Sequence, residues 1–185
     1  MPRLTALDIA GVHVLEIDRR GDARGWFARY CDVDELGERE LNGAFVQFNH
    51  SCTRRRGSIR GLHLQRGSAA EDKLVRCVRG GVLDVLVDVR VGSETFLQHV
   101  TVELSAERGN AVYVPRGVAH GFQTLEDDTE LIYHHTNFYA PEQEWGIRYD
   151  DPRVGIVWPL PVAELSEKDR AWPLLAANFG GVHVA

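Results

Sequence analysis

The sequence predicts an all-β protein. Three observations carry this: short runs of alternating apolar and polar residues, turn residues at the breaks between them, and few helix signals. Short alternating runs read as half-buried strands. Residues 44–50 alternate, with Phe45, Gln47, Asn49 and Ser51 on one face. Ile59, Gly61, His63 and Gln65 share one face of the next run, and Lys73, Val75 and Cys77 share one face of 73–79. In 82–90, Leu83, Val85, Val87 and Val89 lie opposite Asp84 and Asp88. Val100, Val102 and Leu104 alternate with Thr101 and Glu103 in 98–104. Residues 110–115 and 129–136 read similarly, the latter with Leu131, Tyr133 and His135 on one face. Arg79-Gly80-Gly81, Val91-Gly92-Ser93, Arg108-Gly109-Asn110 and Pro115-Arg116-Gly117 supply the turns. Asp32 to Leu41 reads as a short helix with acidic residues in its first turn, and Ser166-Glu167-Lys168-Asp169 as the cap of another. Many short strands with little helix indicate a sandwich, jelly roll or small barrel.

Length and composition narrow the function classes. The chain has 185 residues, which predicts one domain over 1–185 with a core of its own. Residues from about 160 to 185 read as an extension packing on the barrel. With 44% hydrophobic and 26% charged residues the chain is neither disordered nor fibrous. Its 21 Lys and Arg against 27 Asp and Glu give a net charge of −6, which argues against a broad nucleic-acid or membrane surface. No run approaches the roughly 18 apolar residues of a membrane span, and the N-terminus lacks the apolar stretch of a signal peptide. Cys31, Cys52 and Cys77 are odd in number and lack a CxxC spacing, which suggests reduced thiols and a cytoplasmic location.

A barrel of this size holds side chains or one small ligand in its interior. Several strands place polar groups on a face that packing alone would make apolar, and each such group needs a partner when buried. Gly109-x5-Pro115-x-Gly117-x2-His120 matches the second motif of the cupin jelly rolls, where that His is a metal ligand. The first cupin motif needs His-x-His, and here it reads His63-Leu64-Gln65. Gln is a poor replacement ligand for a transition metal, so a cupin-type jelly roll (a double-stranded β-helix) with a few short flanking helices and no metal is expected.

A longer series of motifs occurs in order: Asp22-Ala23-Arg24-Gly25-Trp26-Phe27, Val46-Gln47-Phe48-Asn49-His50-Ser51, Arg60-Gly61-Leu62-His63-Leu64-Gln65, Asp72-Lys73-Leu74-Val75, Ala119-His120-Gly121-Phe122, Tyr133, Tyr139-Ala140-Pro141-x-x-Glu144, Asp150-Asp151-Pro152, Trp158-Pro159 and Leu165-Ser166-x-Lys168-Asp169. From about Asp18 to Leu175 the chain resembles the dTDP-4-dehydrorhamnose 3,5-epimerase family. The resemblance implies a cofactor-free epimerase acting on a dTDP-linked 4-keto-6-deoxyhexose in deoxysugar biosynthesis, and a homodimer with N-terminal strands crossing between protomers. The C4 ketone acidifies the hydrogens at C3 and C5. A base removes one, an enolate forms, and an acid returns a proton to the other face.

By this resemblance His63 is the base, an imidazole being suited to proton transfer near neutral pH. Asp169 fixes its tautomer, Lys73 stabilises charge on O4, and Tyr133 is the acid, its pKa expected to be lowered by Lys73. His120 binds the sugar or O4. Arg24, Gln47, Asn49, Arg60 and Glu144 hold the nucleotide and diphosphate, with Lys168 close by and Phe27 stacking on the base. Tyr139 walls the pocket and influences which carbon reacts. Arg60 and His63 have opposite strand parity, so a bulge must intervene if both touch one ligand, or Arg60 serves a neighbouring protomer. His134 and His135 face opposite ways and do not chelate one ion. Two positions depart from the family pattern: Ala28-Arg29-Tyr30 carries a cation in place of an acidic residue, and His134 follows Tyr133 where Lys is common. Three alternatives remain open: a single-site epimerase of an antibiotic-sugar pathway, a metal-dependent cupin and a non-catalytic sugar-nucleotide binder.

Overall fold

A computed structural model describes residues 3–184 of the chain. In chain order the strands are β1 (Arg3–Ala6), β2 (His13–Glu16), β3 (Arg20–Asp22), β4 (Gly25–Phe27), β5 (Gln47–Thr53), β6 (Ile59–Gln65), β7 (Lys73–Arg79), β8 (Gly81–Asp88), β9 (His99–Ser105), β10 (Ala111–Val114), β11 (Val118–Thr124), β12 (Thr129–His135) and β13 (Glu144–Gly146). Helix α1 (Val33–Gly37) precedes β5, and α2 (Glu167–Ala171) follows β13. The strands form a six-stranded sheet, β1-β2-β10-β7-β12-β5, a five-stranded sheet, β13-β6-β11-β8-β9, and a β3–β4 hairpin. Every named strand pair is antiparallel. This is a jelly roll, the all-β architecture that alternation implied.

Three apolar clusters set the layers. Val75, Val112 and Leu131 of the larger sheet meet Val82, Leu86, Leu104 and Phe122 of the smaller one, forming the barrel interior. The outer face of the smaller sheet packs Leu62, Leu64, Val85, Val87 and Val89 under Ile147, Val154, Trp158, Leu175 and Val182. The outer face of the larger sheet packs Leu15, Leu74 and Tyr113 under Leu36, with Tyr30, Leu41 and Phe45 beside it. Burial of this kind stabilises by about 25 cal/mol per Å² of apolar surface removed from water.

The helices are shorter than their sequence cues. Asp32 caps α1 by accepting from Asp34 N at 3.1 Å. The helix stops at Gly37 rather than running to Leu41, because Glu40 turns into the left-handed region (φ 59°) and Leu41 N–H bonds back to Leu36 O at 2.9 Å. Such a return satisfies carbonyls that the helix end leaves open. Ser166 caps α2 as expected, its hydroxyl accepting from Asp169 N at 3.0 Å.

Residues 82–90 do not divide into an apolar and a polar face as the alternation suggests. Because the smaller sheet is covered on both sides, both faces of β8 are apolar, as is usual for doubly covered strands. Asp84 shares the interior face with Val82 and Leu86, and both Asp84 and Asp88 are fully buried. Asp88 accepts from Arg90 N and Nη2 at 3.0 and 2.7 Å, and from the Ser93 and Thr95 hydroxyls at 2.6 Å each. Burial pushes its carboxyl up, but these bonds outweigh burial and hold it at about 2.

The cysteines are unpaired. Among the described residues no helix is long and apolar enough to cross a membrane.

A depressed carboxyl pKa contributes stability that is complete above the unfolded-state value near 4 and is lost as pH falls through the folded value. Asp88 should therefore contribute about 2 kcal/mol at neutral pH, lost between about pH 4 and pH 2. Urea titrations across that window should show less acid-side loss in Asp88→Asn than in the parent, on a lower neutral-pH baseline.

Candidate active site

A cavity of about 820 Å³ opens between the sheets, lined by β5, β6, β7, β11 and β12 and by the segments around Tyr139–Glu144 and Glu164–Asp169. Ligand pockets commonly span about 300–1,000 Å³. His63, Lys73, Tyr133 and Asp169 all line it, as do Asn49, Arg60, His120, Tyr139, Glu144 and Lys168.

Arg60 and His63 reach the same cavity through a register shift. His120 pairs with His63 and Phe122 with Arg60, so three steps along β6 face two along β11. The extra residue reverses the parity, as a bulge does, and simple alternation does not hold from Ile59 to His63. Glycine makes the shift possible. Gly61 has φ of 119°, and a Cβ there would lie 2.5 Å from the Gly121 Cα on β11.

His63 Nε2 lies 2.5 Å from Asp169 Oδ1. Gly61 N–H donates to the other carboxylate oxygen at 3.4 Å. Burial pushes the Asp169 carboxyl up, but the His63 bond, together with the Gly61 and Ser166 groups, leaves it below the ordinary carboxylate value. Asp169 is thus an anion 3% exposed, and it sets the imidazole with Nε2–H toward itself. In the neutral ring this leaves Nδ1 as the acceptor nitrogen.

Tyr133 Oη lies 3.0 Å from Ser51 Oγ. The expected lowering of its pKa by Lys73 does not occur. Burial pushes the phenol up to about 12, the Ser51 bond and Arg60 pull it down, and Asp84 pushes it up. The group is a neutral phenol at physiological pH. His120 presents its ring edge-on to Tyr133 at 6.4 Å, and its Nε2 lies 2.9 and 3.0 Å from the two Asp84 oxygens. Burial raises the Asp84 carboxyl, opposed by His120 and Lys73.

His135 faces the cavity while His134 faces outward among Tyr30, Phe45 and Phe48. His135 Nδ1 lies 2.9 Å from Glu71 Oε2, and Lys73 Nζ lies 3.3 Å from Glu71 Oε1. Alternation along the strands gave no sign of Glu71, because it lies in the turn before β7. Asp84 shares the parity of Val82 and Leu86, but apolar residues on both faces of β8 hide it from a pattern reading.

At the cavity mouth Glu144 accepts from Tyr139 Oη at 3.0 Å and pairs with Lys168 Nζ at 2.8 Å. Desolvation pulls Lys168 down, but Glu144 outweighs it and holds the ammonium above its ordinary value. Arg60 is held at the opposite wall by Thr53 Oγ1 at 2.8 Å. Three expected site residues lie outside the cavity. Arg24 and Phe27 sit on the exposed β3–β4 hairpin, Arg24 paired to Asp22 at 2.6 Å and Phe27 74% exposed. Gln47 points past the wall, where its Oε1 accepts from Tyr139 N at 3.0 Å.

The donors do not fit a cupin metal centre. Gln65, at the position of the second motif histidine, is spent on backbone: its Nε2 donates to Ala69 O and Phe138 O, and its Oε1 accepts from Ala140 N at 2.6 Å. It clamps the Tyr139 segment instead. His63 and His120 each commit Nε2 to a carboxylate. Among the described residues no group of three or more His, Cys, Asp or Glu is placed to hold an ion.

The sequence model of the dTDP-4-dehydrorhamnose 3,5-epimerase family matches residues 6–177. The chain belongs to that family. A curated family member from Salmonella typhimurium is 46% identical over 171 residues, covering 90% of this chain and 92% of its own. The structure of a dTDP-6-deoxy-D-glucose-3,5-epimerase from Legionella pneumophila, solved with dTDP-4-keto-L-rhamnose, is 36% identical and superposes with a TM-score of 0.90, covering 100% of both chains. ChmJ, a 3'-monoepimerase from Streptomyces bikiniensis in complex with dTDP-quinovose, is 34% identical with a TM-score of 0.84, covering 91% of this chain and 85% of its own. The chain is an epimerase, and the relatives include enzymes named for two carbons and for one.

Removing one member of a buried pair leaves an uncompensated group. Asp84→Ala should lower the stability of this epimerase by about 3 kcal/mol, read as a drop in urea midpoint. Asp84→Asn, which keeps shape and an acceptor, should lose less.

Proposed function

We propose that this epimerase inverts C3 and C5 of a dTDP-linked 4-keto-6-deoxyhexose by proton abstraction and return from the opposite face. The observation that carries the reading is the meeting of His63, held by Asp169, with the neutral phenol of Tyr133 and the buried Lys73 in one cavity. His63 Nδ1 takes the proton from the carbon beside the ketone. The electron pair moves into the C–C bond, and the carbonyl oxygen becomes an enolate oxygen. Lys73, assisted by His120, stabilises that charge. Such a preorganised donor contributes roughly 10²–10³-fold to rate. Tyr133 then donates its proton to the opposite face as the enolate collapses to the ketone, and solvent takes the proton from His63 and returns one to Tyr133 before the second carbon reacts. Asp169 stabilises the imidazolium formed in between. No redox step is involved, because the carbon frame and its oxidation level are unchanged.

Arg60, Asn49, Glu144 and Lys168 hold the nucleotide and diphosphate. Arg is suited to phosphate because its planar fork donates two bonds at once. Arg24 and Phe27 serve the site of a second copy. What supports this is their place on an exposed hairpin away from their own cavity, beside Trp26, which is 54% exposed. Two copies of the 20.8 kDa chain then form the working unit, in the cytoplasm. The second reading is inversion at C3 alone. The likeness to the 3'-monoepimerase favours it, and Tyr139, at the cavity mouth, is the residue that decides between the two.

The test is solvent exchange. The protein is incubated with dTDP-4-keto-6-deoxyglucose in deuterated water and the product is read by NMR. Deuterium at C3 and C5 is the expected result. Deuterium at C3 alone selects the second reading, and none above a buffer control contradicts both. His63→Ala and Tyr133→Phe should each cut exchange by roughly 10²–10⁴-fold without loss of fold by circular dichroism. Near-normal exchange in either would remove the role assigned to it.

A further inference from the structure

The cavity contains an ionised carboxylate that the proposed chemistry does not use. Glu71 is 8% exposed, and both of its oxygens are engaged: Oε2 by His135 Nδ1 at 2.9 Å and Oε1 by Lys73 Nζ at 3.3 Å. His135 is fixed in turn from β5, where Asn49 Nδ2 lies 3.2 Å from its Nε2. An amide N–H donates, so Nε2 accepts and Nδ1 carries the hydrogen bonded to Glu71. Gln47 Nε2 donates to Asn49 Oδ1 at 3.4 Å, and Gln47 Oε1 accepts from the backbone of Tyr139. The polar chain therefore runs from the cavity mouth to Lys73 without a break.

Lys73 is 7% exposed on the first residue of β7. An ammonium has three hydrogens to donate. One is directed at Glu71, and one at His63 O, 3.4 Å away. The third is left for the cavity that Lys73 lines. A four-carbon side chain has many rotamers, and one backbone carbonyl alone does not select among them. Two fixed acceptors do.

The geometry points to Glu71 as a positioning residue: its carboxylate, set by His135 and Asn49, aims the third N–H of Lys73 at the oxygen that becomes negative in the reaction. This rests on the role proposed for Lys73. Charge alone does not account for the arrangement. Glu71 partly offsets the cation, and a carboxylate placed there for its charge would weaken an oxyanion stabiliser. Direction is the gain, since a stabiliser misplaced by about 1 Å costs on the order of 10²-fold in rate. His135 lies stacked on Tyr133, ring centroids 6.2 Å apart, so the same chain also borders the proposed acid.

The experiment is a double-mutant cycle on the full-length protein, with kcat and KM measured on dTDP-4-keto-6-deoxyglucose and folding followed by thermal melting. Glu71→Gln keeps shape and removes the charge, and Glu71→Ala removes the side chain. Lys73→Met removes the ammonium. Glu71→Gln should lower kcat by about tenfold with KM within about twofold, the signature of an interaction lost only in the transition state. In the Lys73→Met background the same change should cost nothing further. A merely structural role gives losses that multiply in the double variant, and that result overturns the proposal. So does a Glu71→Gln enzyme with parental kcat. If Lys73→Met alone keeps parental kcat, the role of Lys73 fails first, and the positioning role fails with it. If Glu71→Ala melts far below the parent, Glu71→Gln decides.

Discussion

The Asp169 carboxylate is buried 2.5 Å from an imidazole, and much of the cavity follows from the need to keep that charge where it is. A buried carboxylate without partners would take up a proton or refold away from its site. Here the Ser166 cap fixes its backbone, Gly61 N–H donates to one oxygen, and His63 approaches the other. The approach depends on the β6 bulge, which turns His63 inward together with Arg60. The bulge depends in turn on the close passage of Gly61 against Gly121. A cap on a five-residue helix and a glycine pair on adjacent strands thus determine which imidazole nitrogen is free.

The same solution recurs within the cavity. His120 is held by Asp84 and His135 by Glu71, each imidazole meeting one buried carboxylate. Pairing satisfies both groups, since each alone in an apolar barrel mouth costs more than the pair. It also fixes ring orientation, which a ligand-shaped cavity requires. The Nε2 atoms of His63 and His120 are both spent on this pairing. Gln65, at the position of the missing motif histidine, holds the Tyr139 segment by backbone contacts to Phe138 and Ala140 and ties it to Ala69. The jelly roll is retained, and its mouth is lined by these imidazole–carboxylate pairs.

Much of the fold was legible because alternation is a local signal. The runs around 73–79, 98–104 and 129–136 all became strands at nearly the residues their patterns indicated. Strands of three or four residues, such as β3 and β13, are too short to show a period. The burial of Asp84 was obscured because β8 is covered on both faces, so apolar residues occupy both parities. The bulge on β6 is a property of two strands in register, and one strand's sequence shows it only as a conflict between Arg60 and His63. Glu71 lies in a turn, where no periodicity assigns it to a face. Proximity to a cation suggests a lowered Tyr133 pKa, but burial dominates it, and burial is set by strands distant in sequence. Arg24 and Phe27 lie outside the cavity because motif order along the chain does not say where an exposed hairpin sits.

In the proposed mechanism Asp169 holds Nε2–H of His63 and leaves Nδ1 as the proton acceptor. Nitrogen-15 NMR of histidine-labelled protein, recorded above the range in which imidazoles titrate, reports the tautomer of each ring directly. The expected result is an Nε2–H tautomer for His63, assigned by its absence in His63→Ala, and loss of that preference in Asp169→Ala. A His63 ring carrying its hydrogen on Nδ1 in the parent protein would contradict it.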